Sequence, residues 1–407
     1  MRMNNFVGFF CIYVYYNYSS FSSKINLLWC RYTNIYIYIY IYLFISNWHV
    51  YYFRRKIEMT KRKVAVTIRD NDLAKVNMGI SPSELNDDEE KQTNAKRRRT
   101  DKRNTPMTHI EYDSLQEYGY HFKNDKLVSI ESNEPFKFDV FDDKEENQKR
   151  YETIGKLIDN AVFDLLENTC KLQRVTVPID AKRNEKTSFI FVSNDLSTAK
   201  YLMIIIHGTG VVRAGQWSRK LIINEGLEIG SQMEYIRRAR AAGYAVIVTN
   251  TNLNDFQSSR SLRRHSTHPI RGSSSAEEHG CYVWEHFVRP SPAKHICIMA
   301  HSYGGAVVLE MARQFLKEFE QYVFAIALTD SPMTVYGRRV KKNVLQMLKQ
   351  KTINWVTDTE KTDTVIGESD CCQLRSAGHT IHEWTSHTAI DAIFKYFAAK
   401  RQKLEQN

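Results

Sequence analysis

The residues with the clearest chemical content surround Ser302, in the run Ile296-Cys297-Ile298-Met299-Ala300-His301-Ser302-Tyr303-Gly304-Gly305. A serine flanked two positions away on each side by small residues fits a sharp strand-to-helix turn that lifts its hydroxyl above a sheet. The turn is crowded, which explains Ala300 and Gly304, and Gly305 adds room; glycine is more usual where Ala300 stands. A serine hydroxyl attacks a carbonyl only with a base beside it, and the oxyanion that forms needs hydrogen-bond donors. The turn His207-Gly208-Thr209-Gly210 ends an earlier apolar run, and glycine there lets backbone N–H groups approach a substrate. Gly208 or Thr209 is therefore assigned one oxyanion donor and Tyr303 the other. The base belongs in the loop before the last helix, which holds His379 and His382; His301 is expected to point elsewhere, because adjacent side chains at such a turn diverge. The acid that orients the imidazole has three candidates in the required chain order, Asp330, Asp358 and Asp363. Asp363 is preferred because it follows the later strand.

These groups need elements to hold them. Tyr201–Ile206, Tyr244–Thr249, Ile296–Ala300 and Val323–Thr329 are short continuous apolar runs, as expected of strands buried on both faces of a parallel sheet. Shorter strands are expected at Phe136–Val140, Val175–Ile179, Ser188–Val192 and Ile353–Val356. Helical spacing of apolar residues marks Arg150–Cys170, Ala214–Glu225, Gln232–Ala242, Gly305–Phe319, Val340–Lys349 and Thr388–Lys400. Another helix, Ala276–Phe287, is announced by two overlapping capping boxes, Ser274 with Glu277 and Ser275 with Glu278. Alternating strand and helix predicts an α/β fold of the α/β-hydrolase-like type, a mostly parallel sheet with helices on both faces.

The chain has 407 residues, 43% hydrophobic, enough for one large domain with flanking tails. Its division is expected to be 1–58, 59–107, 108–400 and a tail at 401–407. The first stretch contains the strict alternation Ile35–Tyr42, which a TA dinucleotide repeat would encode, and is taken as a gene-model extension or an unstructured segment. A signal peptide or a membrane anchor fits it less well, since tyrosines interrupt the apolar run and the span falls short. Residues 59–107 are polar and charged, a disordered linker by composition. Within it Lys96, Arg97, Arg98, Arg99, Lys102 and Arg103 form a basic cluster suited to an import receptor. The formal charge of +11 favours nucleic acid, anionic membrane or acidic partners, though solvated Lys/Arg clusters account for most of it. No aromatics interleave with the basic residues, so direct sequence-specific nucleic-acid binding is not expected, and no membrane span is expected in the folded part. The seven cysteines match no zinc spacing and suggest free thiols in a reducing compartment; no metal or cofactor is expected.

The strings His207 to Trp217, Leu221 to Asn224 and Ala300 to Gly305 resemble the Arb-two-domain proteins, the Argonaute-binding cotranscriptional regulators. So do Glu277-Glu278-His279 with Tyr282-Val283-Trp284, Leu328 to Ser331, Asn354 to Val356, Ser376 to Gly378, and His382-Glu383. The resemblance spans about residues 108–397. It implies an α/β-hydrolase-like fold, nuclear residence with a cytoplasmic fraction allowed, and Argonaute and chromatin or splicing factors as partners. It also implies a role in RNA-linked gene regulation, heterochromatin or alternative splicing. Ser302 falls at the family's nucleophile position and His382, not His379, at its histidine before Glu. Asp330 and Asp363 both fall on family aspartates. The polar segment Asn250–Ser275 is expected to be a surface loop, shorter than in relatives, and Arg213 and Trp217 either line a pocket or pack a helix.

Overall fold

In the computed structural model, residues 113–257, 267–332 and 340–406 are described. The expectations for 1–58 and 59–107, including the basic cluster at Lys96–Arg103, lie outside them. The described residues all belong to one compact unit. It begins with a hairpin, β1 (Tyr120–Lys123) and β2 (Lys126–Ser129), and a long helix α1 (Lys144–Asn168) that Asp143 caps. Then come β3 (Leu172–Val177), β4 (Ser188–Ser193), β5 (Tyr201–Ile206), α2 (Arg219–Asn224), α3 (Met233–Ala241) and β6 (Ala245–Val248). A short hairpin, β7 (Asp255–Gln257) with β8 (Thr267–Pro269), precedes α4 (Ala276–Val283), which runs on as a π turn through Val288. The second half holds β9 (His295–His301), α5 (Gly304–Gln314), α6 (Leu316–Tyr322), β10 (Val323–Thr329), α7 (Lys342–Lys351) and β11 (Thr352–Val356). Last are β12 (Val365–Glu368), β13 (Gln373–Ser376) and α8 (Ile390–Gln406).

Nine strands make one sheet in the order β12-β13-β11-β10-β9-β5-β6-β4-β3. From β13 to β6 neighbouring strands run parallel, and β12, β4 and β3 are antiparallel additions at the two edges. The apolar runs explain how both faces are covered. Met203, Ile205, Val246, Val248, Cys297, Met299 and Trp355 point to one side, where α1, α3 and α8 supply Ile158, Val162, Ile236, Ile393 and Phe397. The alternate residues Leu202, Ile204, Ile206, Ile247, Ile298 and Leu328 point to the other side, against Val283, Val307, Val308, Met347 and Leu348 from α4, α5 and α7. Each such side chain, fully withdrawn from water, contributes roughly 1.5–3 kcal/mol of hydrophobic stabilisation. The expected α/β-hydrolase-like architecture is therefore present.

Several boundaries differ from expectation for identifiable reasons. Phe136–Val140 is not a strand; the residue before it, Pro135, makes an isolated bridge to Val128. Helix α2 starts at Arg219 rather than Ala214, because Gly215 takes φ 87° and the Ser218 side chain caps the Leu221 N–H. The helix expected over Gly305–Phe319 breaks at Phe315 into α5 and α6. Strands β12 and β13 were not expected at all. Among the described residues no helix is long and apolar enough to cross a membrane.

Candidate functional site

Three adjacent central strands, β10, β9 and β5, end at the same edge of the sheet, and each delivers one part of the expected chemistry where its ladder stops. Strand β9 ends at His301, and Ser302 follows with φ 52°. A non-glycine residue in this left-handed region costs on the order of 1 kcal/mol or more, and such strain persists only where neighbours enforce it. Here the Ser302 N–H donates to Thr329 O at 2.9 Å and the Gly305 N–H to Ser302 O at 3.1 Å, locking the turn into α5. A Cβ on Gly304 would stand 2.9 Å from the carbonyl oxygens of both Ile206 and His207, and one on Gly305 would strike the Ser331 side chain. Both glycines are thus steric requirements of the elbow.

The same closeness brings the end of β5 beside the serine. A Cβ on Gly208 would lie 3.0 Å from Ser302 Cβ. Gly208 is buried and Thr209 exposed. Tyr303 begins α5 with helical backbone, and its phenol donates to Glu277 on α4. The expected oxyanion turn therefore flanks the elbow, and its shape is held by a residue the sequence reading passed over. Asn252 donates from Nδ2 to Gly208 O at 2.9 Å and to Val212 O at 3.0 Å. Asn250 accepts from the Ala214 N–H at 3.1 Å through Oδ1, and its own N–H donates to His279 Nε2 at 3.1 Å. The start of the polar segment after β6 is thus interior rather than a surface loop: Asn250 and Thr251 are buried. A cluster of Asn and Thr directly after a buried strand was the available signal.

His382 opens a 3-10 turn before α8, and its Nδ1 lies 2.7 Å from Asp330 Oδ2. A carboxylate only accepts, so Nδ1 carries the proton and Nε2 keeps its lone pair, the tautomer a general base requires. The other oxygen, Oδ1, accepts from the Thr357 N–H at 3.3 Å. Burial raises the Asp330 carboxyl, but the hydrogen bond and charge of His382 and the Thr357 N–H outweigh it and hold the group below the usual carboxylate range. Asp330 is therefore ionised at neutral pH and matched to an imidazole that gains a proton.

The preference for Asp363 as the partner of the histidine is corrected. Its Oδ1 accepts from Trp355 Nε1 at 3.0 Å and from Arg375 Nη1 at 2.8 Å, a structural tie between β11 and β13. Asp358 caps its own turn by accepting the Glu360 N–H at 2.9 Å. His379 accepts from the Ile381 N–H at 3.1 Å and stacks on Trp384. Asp330 and His382 meet side chain to side chain, while the Asp358 N–H donates to the His379 carbonyl at 3.1 Å.

His301 does not turn away from the site as expected. Its ring packs against that of His382 with centroids 4.7 Å apart. Its Nδ1 lies 3.0 Å from Thr329 Oγ1, which in turn lies 2.8 Å from Ser386 Oγ. Burial, reinforced by His382, pushes the His301 pKa down to about 3. A neutral ring supports His382 by packing without opposing its protonation. Trp217 is buried, edge-on to Tyr235 at 5.2 Å, and packs the interior behind the site. Arg213 is half-buried and donates to Val212 O at 3.1 Å.

The Arb2 domain family matches residues 110–362. The chain is 37% identical over 333 residues to "Cotranscriptional regulator ARB2A" of Homo sapiens, covering 70% of this chain and 80% of that protein. It is 37% identical over 289 residues to "FAM172 family protein homolog Y75B8A.31" of Caenorhabditis elegans, covering 69% and 85%. Among solved structures, the histone deacetylase Clr3 aligns at a TM-score of 0.40 and 13% identity over 61% of this chain and 39% of that one.

Proposed function

Because this chain belongs to the Arb2 domain family, we propose that it is a nuclear cotranscriptional regulator whose α/β-hydrolase core carries a serine hydrolase site formed by Ser302, His382 and Asp330. The observation that carries the catalytic half is the 2.7 Å contact from His382 Nδ1 to Asp330 Oδ2 beside a left-handed Ser302. In this reading His382 Nε2 removes the Ser302 proton as Oγ attacks the carbonyl of an ester, thioester or amide. Asp330 stabilises the imidazolium that results. The backbone N–H groups of Gly208 or Thr209 and of Tyr303 hold the oxyanion. His382 then protonates the leaving group, and water repeats the sequence to free Ser302. The regulatory half rests on the relatives' name, cotranscriptional regulator, and we extend it to Argonaute and chromatin or splicing factors as partners. Fold and function are separable, so catalysis and scaffolding can share one domain.

A fluorophosphonate probe tests the catalytic half: Ser302 is expected to be phosphonylated in folded protein and Ser302→Ala to be inert. No labelling of wild type, with a control hydrolase labelled alongside, would falsify it. Argonaute capture tests the regulatory half, with equal capture expected from wild type and Ser302→Ala; capture by neither removes the partner assignment. Neutralising Lys96, Arg97, Arg98, Arg99, Lys102 and Arg103 is expected to shift a tagged protein from nucleus to cytoplasm, and an unchanged nuclear fraction refutes their role in import.

A further inference from the structure

A cavity of about 340 Å³ opens at the opposite end of the strands, between α7, the starts of β11 and β13, and the exposed side of α8. That volume is in the range of small-molecule pockets, roughly 300–1,000 Å³. Its wall carries four cationic side chains, Lys349, Arg375, Lys400 and Lys403, and no carboxylate. Glu368 pairs with Lys349 at 3.3 Å and Asp363 with Arg375 at 2.8 Å. Lys400 and Lys403 have no carboxylate partner among the described residues; Lys400 donates to the Gln350 carbonyl at 3.0 Å. Burial, with the like charge of Lys403 added, holds the Lys400 ammonium below its usual pKa, so the fold keeps two cations together at a cost. Thr352 also lines the cavity, is 2% exposed, and its hydroxyl has no hydrogen-bond partner. The aromatic ring of Tyr396 forms part of the wall.

We infer that this cavity binds a dianionic phosphate group, either inorganic phosphate or a small phosphate monoester, between Lys400 and Lys403. Lys400 and Lys403, three residues apart on α8, put two ammonium groups on one wall, which match a phosphate dianion as point charges, and charge-assisted hydrogen bonds of this kind are among the stronger ones available to a surface site. The guanidinium of Arg375 adds a planar donor set on the wall. The Thr352 hydroxyl, which otherwise goes unmatched, supplies a polar group beneath the charged rim. The Tyr396 ring lies under the Lys400 ammonium, 5.8 Å from its centroid, and helps to hold that cation at the cavity wall. The site is independent of the Ser302 reading, because it shares no residue with it.

The test titrates full-length protein at low ionic strength with inorganic phosphate, phenyl phosphate and sulfate, followed by calorimetry. Saturable binding of phosphate or phenyl phosphate is expected, tighter for phenyl phosphate if the monoester is the natural source. Lys400→Gln/Lys403→Gln should weaken it by at least about tenfold, and Thr352→Val should weaken it less, both at unchanged circular dichroism. Lys400→Arg keeps the charge and should keep the binding, which separates loss of the site from loss of the fold. The inference is overturned by any of three results: no saturation in the millimolar range, equal affinity for sulfate, or full binding by the double variant. Binding of an RNA oligonucleotide through these lysines, without binding of either phosphate probe, also overturns it in favour of a polyanion surface.

Discussion

Replacing Asp330 with asparagine separates the two aspartates that chain order alone leaves open. Asp330 Oδ2 accepts the proton on His382 Nδ1 at 2.7 Å. An asparagine at this position can instead present its own N–H to Nδ1. The ring then carries its proton on Nε2 and loses the lone pair that deprotonates a serine. The steric change is small, and the amide oxygen still accepts from the Thr357 N–H, which now lies 3.3 Å from Oδ1. The same substitution in a Ser-His-Asp triad lowers turnover about 10⁴-fold, which is about 5.4 kcal/mol of barrier at 1.36 kcal/mol per decade. The readout is the second-order rate constant of phosphonylation at Ser302, with Ser302→Ala as zero. Asp363→Asn is the paired control. It keeps an acceptor for Trp355 and loses only the charge facing Arg375, a partly exposed pair worth about 1 kcal/mol. Its phosphonylation rate should match wild type. Two results refute the reasoning: a wild-type rate in Asp330→Asn with an unchanged unfolding midpoint, or loss of labelling in folded Asp363→Asn.

Gly208→Ala places a methyl 3.0 Å from Ser302 Cβ, and the displaced turn should slow phosphonylation by about tenfold or more; an unchanged rate would show that Gly208 does not set the oxyanion turn. Asn252→Ala removes the donor that ties Gly208 O to Val212 O, although His207 Nδ1 still faces the first and Arg213 the second, and should cost about 1 kcal/mol in urea unfolding while also slowing phosphonylation; wild-type stability would contradict this. His207, His279 and His301 have folded pKa values pushed by burial down to about 4, 3 and 3. Since unfolded histidine titrates near 6.5, their contribution is complete above that pH and is lost as pH falls toward 3–4. At pH 5 the loss is about 2 kcal/mol per histidine. Urea unfolding at pH 7 and pH 5 measures it, and a flat profile refutes the neutral assignment. His279 shows why protonation is resisted: Ser273 Oγ donates to Leu253 O, so Nδ1 donates to Ser273 while Nε2 accepts the Asn250 N–H, and a second proton has no acceptor.

Much of the architecture was legible where a segment is apolar on both sides. Strands β5 and β10 begin and end where their apolar runs do, because only a strand in a covered parallel sheet tolerates such a run. The elbow was legible because steric crowding dictates residue size at Ala300, Gly304 and Gly305. What failed was position that depends on partners distant in sequence. Strands β12 and β13 are four residues each and only partly buried, with a glycine inside β12; nothing local separates them from loop. Missing them affected the choice of acid, since Asp363 looked like the end of the sheet when it is a tie between β11 and β13. His301 was set aside on the rule that adjacent side chains diverge. Divergence from Ser302 does not prevent its ring from reaching His382, which arrives from 80 residues further along the chain, 382 against 302.

In the β9–β10 ladder His301 is the register partner of Thr329, so Ser302 and Asp330 are the next residues on the two strands. Both leave the sheet with left-handed backbone, φ 52° and 44°. Their separation is therefore fixed by a single rung of the ladder, not by the loops around them. Loops at this edge can be lengthened, shortened or exchanged without altering the spacing of serine and acid. Inserting or deleting one residue within β9 or β10 would instead displace one of the two by about 3.3 Å along the strand and turn its side chain to the other face. The relative placement of Ser302 and Asp330 is thus insulated from changes in the surrounding loops and exposed to changes in strand length, whereas His382 and the Gly208 turn arrive on loops and share no such protection.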